Sequence, residues 1–146
     1  MLVTAIAMNN RNKIGSTGTM LAQAVVEQIK ATIIGSGSSA LTDCAGTTWT
    51  IDTVAGAGAA VNNSAIDFTQ TSPPTNYHMN YVVKSPCTST GGQARTYDVR
   101  WNVEIVGGAP GASNTYMITV GARLLTNNTS KLIFPDPVNF RVMAGN

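Results

Sequence analysis

The thiols of the chain are Cys44 in TDCAG and Cys87 in SPCTS, each beside turn-forming residues. An even count in loop contexts favours a disulfide in an oxidising compartment. Closing a loop of about 40 residues would contribute on the order of 4 kcal/mol in the chain-entropy account. The alternative is a pair of free buried thiols, since neither cysteine has the CxxC spacing or the neighbours of a metal or redox centre. The single histidine, His78, falls in an alternating stretch between Tyr77 and Met79. It reads as a solvent-facing strand residue without the partners that a triad or a histidine metal site requires. Asp43, Asp52, Asp67 and Asp136 stand in turn or loop contexts, read as solvated turn residues rather than as paired acid/base carboxylates. GSGSSA at Gly35 and GAGAAV at Gly56 have the glycines of a dinucleotide fingerprint without the strand-to-helix setting that motif needs. NNTS at Asn127 fits a glycosylation sequon and marks an exposed loop. These residues point to no enzyme, and no cofactor or metal is expected.

The composition narrows the class further. A chain of 146 residues is long enough for one domain with a single core. Nine basic residues against seven acidic ones give a net charge of +2, and the basic residues are spread from Arg11 to Arg141. Without a basic cluster and interleaved aromatics, nucleic acid is not an expected partner. The abundance of Gly, Ser, Thr, Asn and Ala suits β-structure with long loops, a composition common in secreted and cell-surface proteins.

The first 34 residues lack proline, and Ile14, Leu21, Val25 and Ile29 recur at intervals that draw one stripe, with Ala22, Val26 and Ile33 beside it. The spacing predicts a helix ended by the glycines of GSGSS. MLVTAIAM is different in kind, because only Thr4 is polar and no hydrophilic face exists. It is far shorter than the ~20 residues of a membrane span and reads as the last turns of a longer apolar helix. A helix over residues 1–34 would be about 50 Å long, against a diameter of roughly 38 Å for a globule of this size. The expectation is an overhang of about two turns, with Leu2, Val3, Ile6 and Met8 sheltered by neighbouring molecules or lipid. Gly15 and Gly18 each cost about 1 kcal/mol against alanine inside a helix. They permit bending, or close approach of another backbone alongside Thr19 and Ala22, or are simply tolerated.

Period-two alternation marks the rest. TTWTIDTV (47–54) is a plausible strand and AGAGAAVNNSA a small-residue loop. In TYDVRWNVEIV the residues Tyr97, Val99, Trp101, Val103 and Ile105 share one face, and Asp98, Arg100, Asn102 and Glu104 the other. Arg100 and Glu104 are read as exposed cross-strand charges. TYMITVGARLL repeats the pattern with Tyr116, Ile118, Val120, Ala122 and Leu124, while YHMNYVVK from Tyr77 and PVNFRVMAG from Pro137 add strands. The predicted fold class is α+β: a long N-terminal helix packed on an antiparallel β-sheet of about four strands, whose core is Tyr97, Val99, Trp101, Val103, Tyr116, Ile118 and Val120. Residues 1–34 would form the helix, its first part protruding, and residues 35–146 a β-rich head on its second half.

The run LVTAIAMNNRNKIGSTGTMLAQAVVEQIKA, with LAQ at Leu21–Gln23 and Glu27, resembles the later part of the N-terminal helix of type IV pilin-like proteins. The likeness is nearest to minor pilins and type II secretion pseudopilins, and YDVRWNV and TYMITVGARL are similar to the sheet of that group. The resemblance implies a structural, non-enzymatic filament subunit of the cell envelope or cell surface. Its helix would sit in the membrane before assembly and in the filament core afterwards. Self-association, or association with other pilin subunits, would run through Leu2, Val3, Ile6, Met8, Ile14, Gly15, Gly18, Leu21, Val25 and Ile29. The family's leader and cleavage motif, and a glutamate before Glu27, are missing, so the expectation is a chain shortened upstream. Cys44 and Cys87 also depart from the C-terminal disulfide of major pilins. The alternative reading is a secreted β-rich binding or adhesin module in which the helix only caps the sheet.

Overall fold

The computed structural model describes residues 2–32, 34, 36–84, 86–88, 90, 94–108, 113–125 and 136–145, with the side chains of the helix from Gly15 onward. The helix α1 (Leu2–Lys30) is followed by β1 (Ser38–Thr42), β2 (Thr48–Asp52), β3 (Ala57–Gly58), β4 (Val61–Asn62) and β5 (Ala65–Ile66). Then come β6 (His78–Val83), β7 (Arg95–Gly107), β8 (Thr115–Leu125) and β9 (Val138–Gly145).

The long β7 organises the main, five-stranded sheet. One side pairs antiparallel with β8, which pairs in turn with β9. The other side is divided: β6 takes Arg95–Arg100, and β3 takes Asn102 and Val103. The close approach of β3 explains Gly58, whose φ is +137° and whose missing Cβ would collide with the Asn102 backbone. Two further sheets are the hairpins β1–β2 and β4–β5. The turn of the second hairpin places Asn63 at φ 49° and Ser64 at φ 66°, the left-handed pair that a two-residue hairpin turn requires.

The sequence-based fold class does not hold. Of the residues whose side chains are described, 50% lie in strands and 15% in helix, the helical portion being Gly15 to Lys30, and the strands form several sheets. The molecule is therefore mostly β, not a long helix on one four-stranded sheet. The reason lies in β7, which is buried on both faces from Tyr97 to Trp101. Its inner face, Tyr97, Val99, Trp101 and Val103, joins a core with Leu21, Val25 and Ile29 of α1 and Ile51 of β2. Its outer face lies under the β4–β5 hairpin and the turn that follows. Ile66 packs so tightly on β8 that a Cβ on Gly121 would stand 2.9 Å from it, and its backbone N–H donates to Asn139 Oδ1 at 2.9 Å. A sheet covered on both faces needs more β-structure than a single helix-capped meander supplies.

The side chains of Leu2, Val3, Ile6, Met8 and Ile14, the residue Ile33, and the sequon at Asn127 lie outside the described residues. Among the described residues no helix is long and apolar enough to cross a membrane.

Candidate functional site

The first element with functional consequence is the seat of the helix. Leu21, Ala22, Val25, Val26 and Ile29 are all buried, whereas Ser16, Met20, Gln23, Glu27 and Lys30 are exposed. The spacing that drew the stripe in the sequence thus faces its own sheet. Complete burial of each Val, Leu or Ile contributes about 1.5–3 kcal/mol. The predicted sheet-core residues Tyr97, Val99, Trp101, Val103, Tyr116, Ile118 and Val120 all lie in the same cluster. At Gly18 the helix lies close to the sheet: a Cβ there would make ordinary contacts, 3.5 Å from Val138 Cγ2, 3.7 Å from Tyr97 Cε1 and 4.0 Å from the Ala122 Cβ. What lies against Gly18 is a set of side chains of its own sheet, not another backbone. Around Gly15 a Cβ would meet nothing within 4 Å.

The polar atoms of the core aromatics are paired. Trp101 Nε1 donates to the Asp52 carbonyl at 3.0 Å, and the Tyr77 hydroxyl donates to the Val54 carbonyl at 3.1 Å. Burial pushes the Tyr97 phenol above its ordinary pKa, against the opposing influence of Thr17 and Arg95.

On the outer face the expectation of solvated charges is overturned. Asp98 and Arg100 are 4% and 7% exposed, and Arg100 pairs with Asp98 on its own strand, not with Glu104. Its Nε donates to Asp98 Oδ1 at 2.9 Å and its Nη2 to Oδ2 at 2.8 Å, a bidentate fork. Arg123 Nη2 reaches the same Oδ2 at 2.9 Å. The remaining Arg100 donor, Nη1, holds the Gln70 carbonyl at 2.8 Å. The Phe68 ring lies 5.3 Å from the Arg100 guanidinium and 4.7 Å from that of Arg123, within cation–π range. A segment 30 positions earlier in the chain is thereby fastened over the sheet.

A third cluster closes the β6 edge. Asp43, read from the sequence as a solvated turn residue, is buried. Its Oδ1 accepts from the Ala45 and Thr47 backbone N–H groups at 2.9 and 3.0 Å. Its Oδ2 accepts from Trp49 Nε1 at 3.2 Å and from the Val82 N–H at 3.3 Å. Beside it, Cys44 N donates to the Val82 carbonyl at 3.0 Å, and Cys44 is disulfide-bonded to Cys87. One carboxylate therefore shapes the β1–β2 turn and ties it to β6.

Burial alone raises the Asp43 pKa, but the bonds from Trp49, Thr47, Val82 and Ala45 outweigh it and hold the carboxyl below its ordinary value. Because the folded-state value is depressed, the stabilisation is complete above the unfolded-state pKa of about 3.9 and fades as pH falls through the lower folded value. Asp43→Asn replaces an acceptor oxygen with an amide that faces donors. It is expected to cost about 2–3 kcal/mol at neutral pH, and the gap from wild type should narrow below about pH 4. Urea unfolding at pH 7 and pH 3 measures this; a gap independent of pH would refute the role given to the carboxylate.

The remaining acids and the histidine do not converge. His78 Nδ1 is 2.9 Å from the Pro74 carbonyl oxygen, and Asp52 Oδ2 accepts from Asn76 Nδ2 at 3.0 Å. Asp67 caps its own turn through the Thr69 hydroxyl and N–H, and these bonds hold it below the ordinary carboxylate range. Asp136 is exposed ahead of β9. Among the described residues no three metal-ligating side chains gather.

What the arrangement offers is a helix seat on one face of the sheet, a buried ion network on the other, and a carboxylate clamp at the β6 edge. The burial of Asp98 and Arg100 on the outer face and of Asp43 at the turn is what sequence reasoning missed. Their only signals were an acid–arginine i, i+2 pair on one strand face and an aspartate opening a glycine turn. Comparison with protein-family models, with curated proteins and with solved structures finds no match.

Proposed function

We propose that this chain is a structural, non-enzymatic subunit of a filament of the type IV pilus or type II secretion pseudopilus kind, and that it assembles through the start of α1. The reading rests on one observation: the character of the helix changes along its length. From Gly18 to Ile29 it bears a single apolar stripe, given to its own sheet. Residues 1–8 carry Thr4 as their only polar residue, and a helical segment apolar on every side is one that neighbours bury. The partners are other copies or other pilin subunits, with the membrane as host before assembly. The disulfide suits an oxidising envelope or extracellular location.

Sedimentation of the full chain against a Leu2→Asp, Ile6→Asp variant tests the proposal. The unaltered chain is expected to sediment as assemblies or with detergent micelles. The variant is expected to run as a 15.2 kDa monomer with its thermal midpoint unchanged. If the unaltered chain is monomeric without detergent, the filament reading fails and the secreted binding module takes its place.

A further inference from the structure

The strand β9 ends the main sheet on the β8 side, and the hydrogen-bond pattern fixes which of its backbone groups are left over. In β7, Trp101 N donates to the Tyr77 carbonyl at 3.0 Å and the Trp101 carbonyl accepts from Ala59 N at 2.8 Å, so the odd-numbered residues bond toward β6 and β3. Successive residues of a strand bond to opposite sides. Arg100 and Asn102 therefore bond to Gly121 and Thr119 of β8, and Ile118 and Val120 of β8 bond to Val142 and Phe140 of β9. The N–H and C=O groups of Asn139, Arg141, Met143 and Gly145 are left pointing outward along the edge.

Three features mark this edge as open. Among the described residues, no backbone hydrogen bond reaches β9 except from β8. The inner row of the sheet also loses its burial at the last strand: Ile118 and Val120 are 0% exposed, whereas Val142 and Phe140 beside them are only half-buried. Finally, the edge lacks the devices that discourage pairing. No proline or lysine interrupts Val138–Gly145, and its one charged side chain, Arg141, is held by the β4–β5 turn, donating from Nη1 to Ser64 Oγ at 2.6 Å. An unblunted edge of eight residues, about 26 Å long, is a template for another strand.

We infer that β9 pairs antiparallel with β9 of a second copy of this chain, about a two-fold axis through Val142. The residues of the strand select both the occupant and the register. Centred there, Arg141 lies opposite Met143 of the copy and away from the like charge, while Phe140, the largest side chain of the inner row, faces Ala144, the smallest. Moving the axis by one residue to Arg141 would set the two arginines directly opposite each other. In the chosen register the half-buried inner row continues from one copy into the next, and the outward groups of Arg141 and Met143 satisfy one another. The contact closes after two copies. It turns the second α1 the opposite way, so the paired heads belong to separate assemblies, and it goes beyond the helix-mediated contact proposed above.

The test uses the full chain carrying Leu2→Asp and Ile6→Asp, so that association through the helix does not enter the measurement. Raised above the dilute range in which that chain runs as a monomer, it should form dimers and nothing larger by sedimentation velocity, weakly, as a small interface does. Met143→Pro removes an outward N–H and none that bonds to β8, so it should abolish the dimer with the thermal midpoint nearly retained. Val142→Pro, whose N–H bonds to β8, should lower the midpoint sharply. Met143→Arg places two arginine pairs across the axis and should weaken the dimer about tenfold, whereas Met143→Glu should strengthen it about threefold. A chain that stays monomeric at every concentration overturns the inference while leaving the helix reading intact. Association that grows past the dimer, or a dimer on which Met143→Arg and Met143→Glu lack opposite effects, also overturns it. So does a Met143→Pro variant as destabilised as Val142→Pro, since the Met143 N–H would then bond within the sheet.

Discussion

Asp98→Ala should lower the stability of the fold by about 3–5 kcal/mol, the range for breaking a buried ion pair from one side. The Arg100 side chain is 8% exposed, so after the substitution its guanidinium stays inside with carbonyl acceptors as its remaining described partners. Arg123, 35% exposed, would face it across the Phe68 ring as a like charge. For a domain of this size such a loss lowers the thermal midpoint by roughly 10 °C. Amide exchange should also quicken over residues 59–70, because Arg100 holds the Gln70 carbonyl and Gln70 Oε1 in turn accepts from the Ala60 N–H at 2.9 Å. Asp98→Leu combined with Arg100→Met should recover much of the loss, as apolar residues of similar volume do when a buried pair is replaced whole. Thermal unfolding of the single and double variants decides the matter. A single variant within 1 °C of wild type would mean that the network carries no weight.

Replacing both Cys44 and Cys87 by alanine is the second large effect. The bond closes a loop with a sequence separation of 43, and losing that restriction on the unfolded chain is expected to cost about 4 kcal/mol. The folded geometry of the β1–β2 turn should nevertheless survive. Asp43 accepts four hydrogen bonds from Ala45, Thr47, Trp49 and Val82, and none of them passes through sulfur. The double variant should therefore lose roughly 8–16 °C in midpoint while the Thr47 and Val82 amides keep their protection. If protection at Val82 disappears below the transition, the disulfide and not the carboxylate holds the hairpin to β6.

Much of the fold was readable because its signals were local. The helix stripe at Leu21, Val25 and Ile29 and the alternation in 97–105 and 116–124 are periodicities of the backbone itself, visible without a partner. The short strands β3, β4 and β5, of two residues each, show no period at all. In the sequence they lie in a stretch rich in Gly, Ala and Asn, and the close approach of Gly58 to Asn102 explains the smallness of β3. The outer face of β7 misled for a related reason. Alternation says that Asp98 and Arg100 lie opposite Tyr97 and Val99, but not that the opposite face is dry.

The sequence by itself determined the helix stripe at Leu21, Val25 and Ile29, the longer strands around Trp49, Tyr81, Trp101, Ile118 and Phe140, and that the acids and His78 lack a shared spacing. These follow from side-chain type at fixed local intervals. Tertiary structure alone decided that the sheet is covered twice, that Asp43 is a clamp and that Asp98 sits between two arginines. Each of those depends on contacts between residues far apart in the chain, as Val82 and Asp43 are at 39 positions. Whether a polar group is solvated or buried depends on what folds over it, and no local interval encodes that.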